Sequence, residues 1–288
     1  MRQCRFGGDR LGLVRQGHVV DVTGICDRLP NFRYPLPKFD PFIAELDSLR
    51  EPIREVAEDQ PGIPIGEVKF GAPVANPGKI IGAPVNYRRH LQEAREDPEI
   101  HHSNQIAEIE RVGLFLKAPS SVIGPSEAIM IRHPERRTDH EIELAVVIGK
   151  RADRVPPHRA FEYVAGYCIG LDITVRGPEE RSLRKSIDTY TVLGPWLVTT
   201  DELADPSQLS LKLWVNGEVK QDSNTSGMIF NLAEQIEEIT AGTTLHPGDL
   251  IMTGTPAGVG AGRGEFLKAG DVVKLWIEKI GEIENRMT

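Results

Sequence analysis

Residues 139–150 read D-H-E-I-E-L-A-V-V-I-G-K, and the interpretation of the whole chain starts from them. Glu141 and Glu143 stand at the start of an apolar run that predicts a buried strand. Side chains two residues apart on a strand project to the same face, with Cα atoms about 7 Å apart. Two like charges at that distance beside apolar residues repel each other unless a cation lies between them. The stretch therefore predicts a divalent metal site.

A second apolar run, V-A-G-Y-C-I-G-L-D at residues 164–172, predicts another strand that ends on Asp172. This carboxylate is either a third metal ligand or an ordinary aspartate at a strand end. The metal interpretation gains weight because Glu141 and Glu143 already require a counter-ion. An all-oxygen ligand set favours hard cations such as Mg²⁺, Mn²⁺ or Ca²⁺.

The composition of the 288 residues is ordinary for a soluble globular protein, with 40% hydrophobic and 26% charged residues. The net charge is −8 with acids and bases interspersed, which disfavours nucleic acid and anionic membranes as partners. No apolar run approaches the roughly 20 residues of a membrane span, and the N-terminus lacks the apolar segment of a signal peptide. Three scattered cysteines without a C-x-x-C motif predict reduced thiols in a cytoplasmic protein.

Helical periodicity is sparse while Gly (28) and Pro (21) are plentiful, so short strands joined by turns should dominate a β-rich α+β fold. Residues 1–75 predict a small N-terminal α+β domain, with a hairpin at 11–22 and a helix at 42–56 that Pro52 interrupts. A linker is expected around 61–78. Residues 76–288 then form the domain that carries the chemistry.

A helix predicted to begin near Asn86 places His90 and Glu93 on one face. As a catalytic dyad, Glu93 would orient His90, and His90 would take a proton from water. The alternative is a solvated pair on a surface helix, which is the usual fate of such a spacing. The polar segment 96–111 that follows is either a mobile lid or a plain loop and helix.

Two stretches, one with a lysine and one rich in glycine, do not match the known nucleotide-binding motifs. Lys185-Ser186 lacks the preceding glycines of a phosphate loop, so Lys185 could simply be solvated, and residues 258–264 never match G-x-G-x-x-G. The tight loop at residues 253–260 (T-G-T-P-A-G-V-G) offers hydroxyls and backbone N–H groups that suit a carboxylate. The alternative there is a structural turn.

These motifs together resemble the fumarylacetoacetate hydrolase superfamily. Each is weak alone, but their order and spacing over roughly residues 76–285 make the match specific. The matching elements are Asn86-Tyr87-x-x-His90-x-x-Glu93, Phe115-Leu116-Lys117, Glu141-x-Glu143-Leu144, Gly166-Tyr167 through Asp172 and Arg176, Lys185-Ser186-x-Asp188-Thr189, Leu193-Gly194-Pro195-Trp196, Asn224-Thr225-Ser226, Pro247-Gly248-Asp249 and Thr253-Gly254-Thr255-Pro256-x-Gly258-Val259-Gly260.

The resemblance implies a rolled β-sandwich catalytic domain behind a small, variable N-terminal unit, usually in a homodimer. It implies that one Mg²⁺, Mn²⁺ or Ca²⁺ binds to Glu141, Glu143 and Asp172. It also implies a water-activating dyad, a catalytic lysine and a set of substrate contacts. His90 and Glu93 would form the dyad and Lys185 would be the catalytic lysine. The substrate contacts would be Arg176, Thr255, Lys117 and Tyr87.

The chain departs from the family pattern after Arg176. Many members have Arg-Asp followed two residues later by Gln and a longer loop to the lysine, whereas this chain has R-G-P-E-E at residues 176–180. An acidic residue near the position of that glutamine leaves its substrate contact without support. Substrate identity is therefore not carried over.

The resemblance implies chemistry on 2-oxo and 2,4-dioxo acids, through an enolate that the metal and Lys185 stabilise. The leading hypothesis is hydrolysis of a C–C bond in an acylpyruvate, as in aromatic catabolism, because the His90–Glu93 dyad is retained. A decarboxylase of an oxaloacetate-like acid and a 2-hydroxymuconate-type isomerase would use the same enolate. A non-catalytic metal-binding protein is the alternative from another class.

Overall fold

The computed structural model describes residues 1–96 and 113–288. The α-helices in these residues are α1 Pro41–Glu58, α2 Arg88–Glu96, α3 Arg181–Lys185 and α4 Leu232–Gly242. The strands are β1 Arg2–Phe6, β2 Arg10–Arg15, β3 His18–Asp21, β4 Gly62–Pro64, β5 Phe70–Gly71, β6 Ile80–Gly82, β7 Phe115–Lys117, β8 Val122–Ile123, β9 Thr138–Asp139, β10 Ile142–Ile148, β11 Val164–Asp172, β12 Thr174–Val175, β13 Thr191–Thr199, β14 Ser210–Val215, β15 Glu218–Asn224, β16 Leu250–Met252, β17 Val272–Ile277 and β18 Gly281–Arg286.

Most strands join one large mixed sheet in the order β4-β3-β2-β1-β13-β11-β10-β16-β6-β7, with β5 on β1 and β8 on β13. Strands β15-β14-β17-β18 form a second sheet, and β12 pairs with β9. The architecture is therefore mixed α+β and rich in sheet, as expected from the sequence. No helix of the described residues is long and apolar enough to cross a bilayer.

The central strands of the large sheet are buried on both faces. On β10, Ile142, Leu144 and Val146 belong to the core shared with the second sheet, whereas Ala145 and Val147 belong to the core shared with α1. This explains why β10 and β11 read as nearly continuous apolar runs rather than as alternating ones. Charged groups at the ends of such strands are therefore buried away from water.

Helix α1 covers one face of the sheet and is continuous through Pro52. Its N-terminus is capped by Asp40, whose carboxylate accepts the Ile43 N–H at 3.0 Å. The predicted interruption is wrong, because buried Leu49 and Ile53 hold both turns around the proline against the sheet. Packing of this face outweighs the single backbone hydrogen bond that Pro52 removes.

The N-terminal strands are part of the large sheet, since β1 pairs with β13 through Arg2 opposite Val198. The expected linker at 61–78 is not irregular throughout, because it contributes β4 and β5 to the same sheet. The hairpin at 11–22 is confirmed by β2 and β3. The domain boundary at residue 75 stays a prediction, and the segment 96–111 lies, apart from its first residue, outside the described residues.

The register between β10 and β11 sets the position of the predicted ligands. Glu143 stands opposite Gly170, and the Asp172 N–H donates to the Glu141 carbonyl oxygen at 2.9 Å. Because side chains alternate along each strand, Glu141, Glu143 and Asp172 reach the same face at the same end of the sheet.

Candidate active site

Glu141, Glu143 and Asp172 form a buried carboxylate cluster. One oxygen atom from each lies within 4.8 Å of the others, and the exposed fractions of the three residues are 6%, 1% and 0%. Neighbouring antiparallel strands create this proximity directly. The structure thus brings together the three side chains that the sequence singled out as metal ligands.

Two lysines place their ammonium groups among these carboxylates. Lys185 Nζ donates to Glu141 Oε2, Asp172 Oδ2 and Thr174 Oγ1, each at 2.6 Å. Lys117 Nζ donates to Asp172 Oδ1 and, at 2.9 Å, to the Tyr190 carbonyl oxygen. Lys185 is therefore not solvated, and Lys117 contacts a predicted metal ligand.

The charges of the cluster are unevenly compensated. Burial opposes ionisation of Glu141, but Lys185 and Arg176 outweigh it and lower its pKa to about 2. Burial and then the neighbouring Asp172 raise the pKa of Glu143 well above its usual value. Among the described residues, Glu143 forms no ion pair with a lysine or arginine, although it accepts the Gly254 N–H at 2.8 Å.

A divalent cation fits this arrangement. Three convergent carboxylates form the oxygen set that Mg²⁺, Mn²⁺ and Ca²⁺ prefer. The charge of such an ion would also relieve the repulsion between Glu143 and Asp172, because it lies close to both. The cluster can therefore hold one divalent cation.

Arg176 lies on the wall of the site, bound to acidic side chains. Its Nε and Nη2 donate to Asp139 Oδ2 at 3.0 and 2.6 Å, and Nη2 also donates to Glu141 Oε1 at 3.1 Å. Glu179, near the position of the family glutamine, instead pairs with Arg136 at 2.7 Å. Its side chain is thus engaged outside the site.

His90 and Glu93 form the predicted pair on α2. His90 Nδ1 lies 2.8 Å from Glu93 Oε2, and His90 is only 5% exposed. Glu93 Oε1 also accepts the Gly258 N–H at 3.0 Å, so the 253–260 loop fixes the carboxylate. His90 is therefore buried and Glu93 half-buried with both carboxylate oxygens engaged, unlike the solvated surface pair considered as the alternative.

Thr255 is oriented by Gln221, a residue that the sequence did not single out. Gln221 Oε1 accepts the Ile142 N–H at 3.0 Å, and its Nε2 donates to the Pro256 carbonyl oxygen and to Thr255 Oγ1, both at 2.8 Å. The two backbone partners fix which end of the amide is the donor. Since Thr255 Oγ1 accepts from Gln221, its own hydroxyl proton is available to the cavity.

Asp139 was not predicted as a site residue, although its i, i+2 spacing to Glu141 indicates a side chain on the same face. Its carboxylate accepts the N–H groups of Gly260 at 2.5 Å and Ala261 at 3.0 Å besides binding Arg176. It thereby ties the glycine-rich loop to the strand that carries the carboxylates. No comparable local signal marked Gln221.

A cavity of about 50 Å³ collects these groups. Among its lining residues are His90, Phe115, Glu141, Arg176, Lys185 and Thr255. Tyr87 is not among them. Its hydroxyl is buried without a hydrogen-bond partner in the described residues, and burial together with the Glu143 charge raises its pKa. The predicted base His90, the lysine Lys185 and the metal ligand Glu141 thus meet at one cavity, which Tyr87 does not line.

In a comparison with known protein families, residues 79–288 match the family model described as fumarylacetoacetate (FAA) hydrolase C-terminal. The maleylpyruvate hydrolase of Aquipseudomonas alcaligenes is 51% identical to this chain over 283 residues, which are 98% of this chain and 97% of the relative. The mitochondrial oxaloacetate tautomerase Fahd2a of Rattus norvegicus is 39% identical over 81% of this chain and 74% of its own length.

A solved structure extends the similarity to the whole fold. The maleylpyruvate hydrolase of Sphingobium sp. SYK-6, in complex with manganese(II) and pyruvate, superimposes with a TM-score of 0.83 at 34% identity. The match covers 100% of this chain and 99% of the solved chain.

Proposed function

The chain belongs to the fumarylacetoacetate hydrolase family, and we propose that it is a metal-dependent hydrolase that cleaves a C–C bond in an acylpyruvate. The observation that carries the proposal is that Glu141 of the carboxylate cluster and His90 of the dyad line one cavity, together with Lys185. Similarity to maleylpyruvate hydrolases, one of them bound to manganese(II) and pyruvate, supports the same reaction class.

Glu141, Glu143 and Asp172 would hold the cation. When bound, it supplies Lewis-acid charge to the oxygens of a 2-oxo acid. Lys185 adds a second positive charge on the same side, since its ammonium lies 2.6 Å from oxygens of Glu141 and Asp172. Positive charge at this position stabilises the negative charge that develops on the 2-oxo group as the C–C bond breaks.

His90 is the proposed base. Donation of its Nδ1–H to Glu93 leaves the lone pair on Nε2, and the carboxylate stabilises the imidazolium that forms. His90 would remove a proton from water, whose oxygen then attacks the acyl carbonyl carbon. Cleavage of the adjacent C–C bond leaves its electron pair on the pyruvate enolate, and protonation at C3 completes pyruvate and a carboxylic acid.

The Thr255 hydroxyl and the Arg176 guanidinium are the proposed contacts of the 2-oxo acid carboxylate. Gln221 leaves the Thr255 proton free to donate, and Arg176 lies on the same cavity wall. Lys117 lies behind Asp172, and Tyr87 lies outside the lining, so for these two we propose support of the cluster and of α2 instead of direct contact.

A panel of acylpyruvates and oxaloacetate, assayed with Mg²⁺ and Mn²⁺, tests the proposed reaction. Loss of the enol absorbance reports consumption, while pyruvate and CO₂ are quantified separately. We expect one pyruvate and one carboxylic acid for each acylpyruvate consumed. Consumption without pyruvate would refute the hydrolase.

The second candidate is tautomerisation of a 2-oxo acid, which the similarity to an oxaloacetate tautomerase favours. The same cluster and base would serve it, because tautomerisation needs only proton transfer through an enolate. A tautomerase consumes the enol of oxaloacetate and releases neither pyruvate nor CO₂. A decarboxylase would release both, so one product analysis separates the three reactions.

We further propose the finer points that family membership implies. These are a rolled β-sandwich over residues 76–288, a small domain at residues 1–75 and a homodimer. A cytoplasmic location accords with three free cysteines, of which Cys4 and Cys168 are buried. Equilibrium sedimentation tests the dimer, and limited proteolysis near residue 75 tests the boundary.

A further inference from the structure

Arg181 is a cation of the cavity wall without a hydrogen-bond partner in the described part of the chain. It begins the short helix α3, and its guanidinium carbon lies 5.6 Å from the centre of the Phe115 ring. Both Arg181 and Phe115 line the cavity that contains His90 and Glu141. Burial lowers the pKa of the Arg181 guanidinium, and an anion beside it would raise this pKa again.

The other cations of this wall are engaged. Lys185 donates to Glu141 and Asp172, and Arg176 donates to Asp139 and Glu141. Arg184 donates to the carbonyl oxygens of Glu179 at 2.8 Å and Val175 at 3.1 Å. These groups are held by hydrogen bonds to acidic side chains or backbone carbonyls, whereas Arg181 contacts the Phe115 ring and forms no such hydrogen bond among the described residues.

Helix geometry places Arg181 at a defined distance from the catalytic lysine. The two residues are four apart on α3, so they share a face with roughly 6 Å between Cβ atoms. Lys185 Nζ also lies 5.4 Å from the centre of the same Phe115 ring. A substrate whose 2-oxo acid end lies at Lys185 would therefore extend its acyl end along this ring toward Arg181.

We propose that Arg181 is the residue that recognises a second carboxylate at the acyl end of the substrate, the group that distinguishes maleylpyruvate, for which the 51% identical relative is named, from a monocarboxylic acylpyruvate. A planar guanidinium matches a carboxylate with two parallel hydrogen bonds, and partial burial strengthens them. The Phe115 ring would contact the uncharged carbons between the two acidic ends. The assignment of ends rests on the proposed acylpyruvate hydrolysis.

Binding of two non-cleavable 2-oxo acids tests Arg181 independently of turnover. The probes are 2-oxoheptanedioate and 2-oxoheptanoate, which have the same chain length and differ in the distal carboxylate. Their dissociation constants are measured by calorimetry with Mn²⁺ present, on the unmodified protein, Arg181→Gln and Arg181→Lys. Leu183→Gln is the matched control, because Leu183 is 65% exposed on the same helix.

We expect the dicarboxylate to bind about 10- to 100-fold more tightly than the monocarboxylate, as one charge-assisted contact predicts. Arg181→Gln should reduce this ratio to below about threefold, with an intermediate ratio for Arg181→Lys and no change for Leu183→Gln. A ratio near one in the unmodified protein, or equal loss of both probes in Arg181→Gln, would overturn the proposal. An intact ratio without pyruvate release from any acylpyruvate would support Arg181 and refute the hydrolase.

Discussion

The carboxylate cluster and the His90–Glu93 dyad meet at one cavity, which Glu141 and His90 line, yet they are held there by different means. The cluster comes from adjacent strands, and its charges are interlocked, because Lys185 joins Glu141 to Asp172 and Lys117 binds Asp172 again. The dyad lies on α2 and is fixed by one backbone N–H, that of Gly258.

This difference indicates which properties should change together. A substitution in the cluster should alter ion binding, charge balance and turnover at once, since Lys185 joins Glu141 to Asp172 and the three carboxylates lie within 4.8 Å of one another. A substitution in the dyad should affect proton transfer and leave ion binding intact. The following variants test that separation.

Glu143→Ala should have the largest effect. It removes a ligand from the cluster, and we expect turnover to fall by more than about 10³-fold, corresponding to several kcal/mol of lost charge stabilisation. Pyruvate release and Mn²⁺ affinity by electron paramagnetic resonance should fall together. Glu238→Ala, on the exposed face of α4, is the control. Metal-stimulated turnover that persists in Glu143→Ala would contradict the assignment.

His90→Gln should reduce kcat by about 10²- to 10³-fold, the usual contribution of a general base. Its Mn²⁺ dissociation constant should stay within about threefold of the unmodified protein, because no ligand is removed. The two values are measured on the same preparation. Loss of Mn²⁺ binding in this variant would show that the dyad and the cluster are not separable.

Gly258→Ala tests how the dyad is positioned. Gly258 has φ +102°, and a Cβ there would overlap the Lys220 carbonyl oxygen. We expect about 1–3 kcal/mol lower stability and a 10- to 100-fold lower kcat, since the N–H that holds Glu93 shifts. Denaturant unfolding and kcat are the measurements.

Gly264→Ala is the matched control for this variant. Gly264 has φ +67° in the same loop region, with open space where a Cβ would stand. It should cost roughly 1 kcal/mol from the backbone conformation alone and leave kcat unchanged. An equal loss of kcat in both variants would mean that general loop strain, and not the Glu93 contact, is responsible.

Gln221→Glu should have the smallest effect, about a tenfold fall in kcat/KM. A carboxylate cannot donate to the Pro256 carbonyl oxygen and would draw the Thr255 proton away from the substrate. The loss should lie in KM. Gln235→Glu is the control, because Gln235 is equally buried and donates to the Phe230 carbonyl oxygen at 3.0 Å. An unchanged KM in Gln221→Glu would remove Thr255 from substrate binding.

The parts of the site that are local in sequence were predictable. The alternation of Glu141 and Glu143 places two side chains on one face without knowledge of the fold. Asp172 was only a candidate third ligand at a strand end, and the register between β10 and β11 brings it to the other two. The hairpin at residues 11–22 was equally local, and Gln16 and Gly17 at its turn both adopt positive φ angles.

The parts that depend on distant contacts were not predictable. Gln221 binds the backbone of a residue 79 positions away, and the Gly260 N–H reaches Asp139 across 121 positions. The pairing of β1 with β13 likewise joins the N-terminal strands to the sheet in a way that no periodicity specifies. Pro52 shows the opposite case, where tertiary packing overrides a strong local signal.

Anomalous diffraction from crystals grown with Mn²⁺ tests most directly whether the carboxylate cluster is the cation site of this enzyme. We predict one peak per chain between Glu141, Glu143 and Asp172, with an oxygen of each at roughly 2.0–2.6 Å, as hard cations require. A protein that turns over acylpyruvate in the same Mn²⁺ buffer but shows no peak among these three carboxylates would contradict the account.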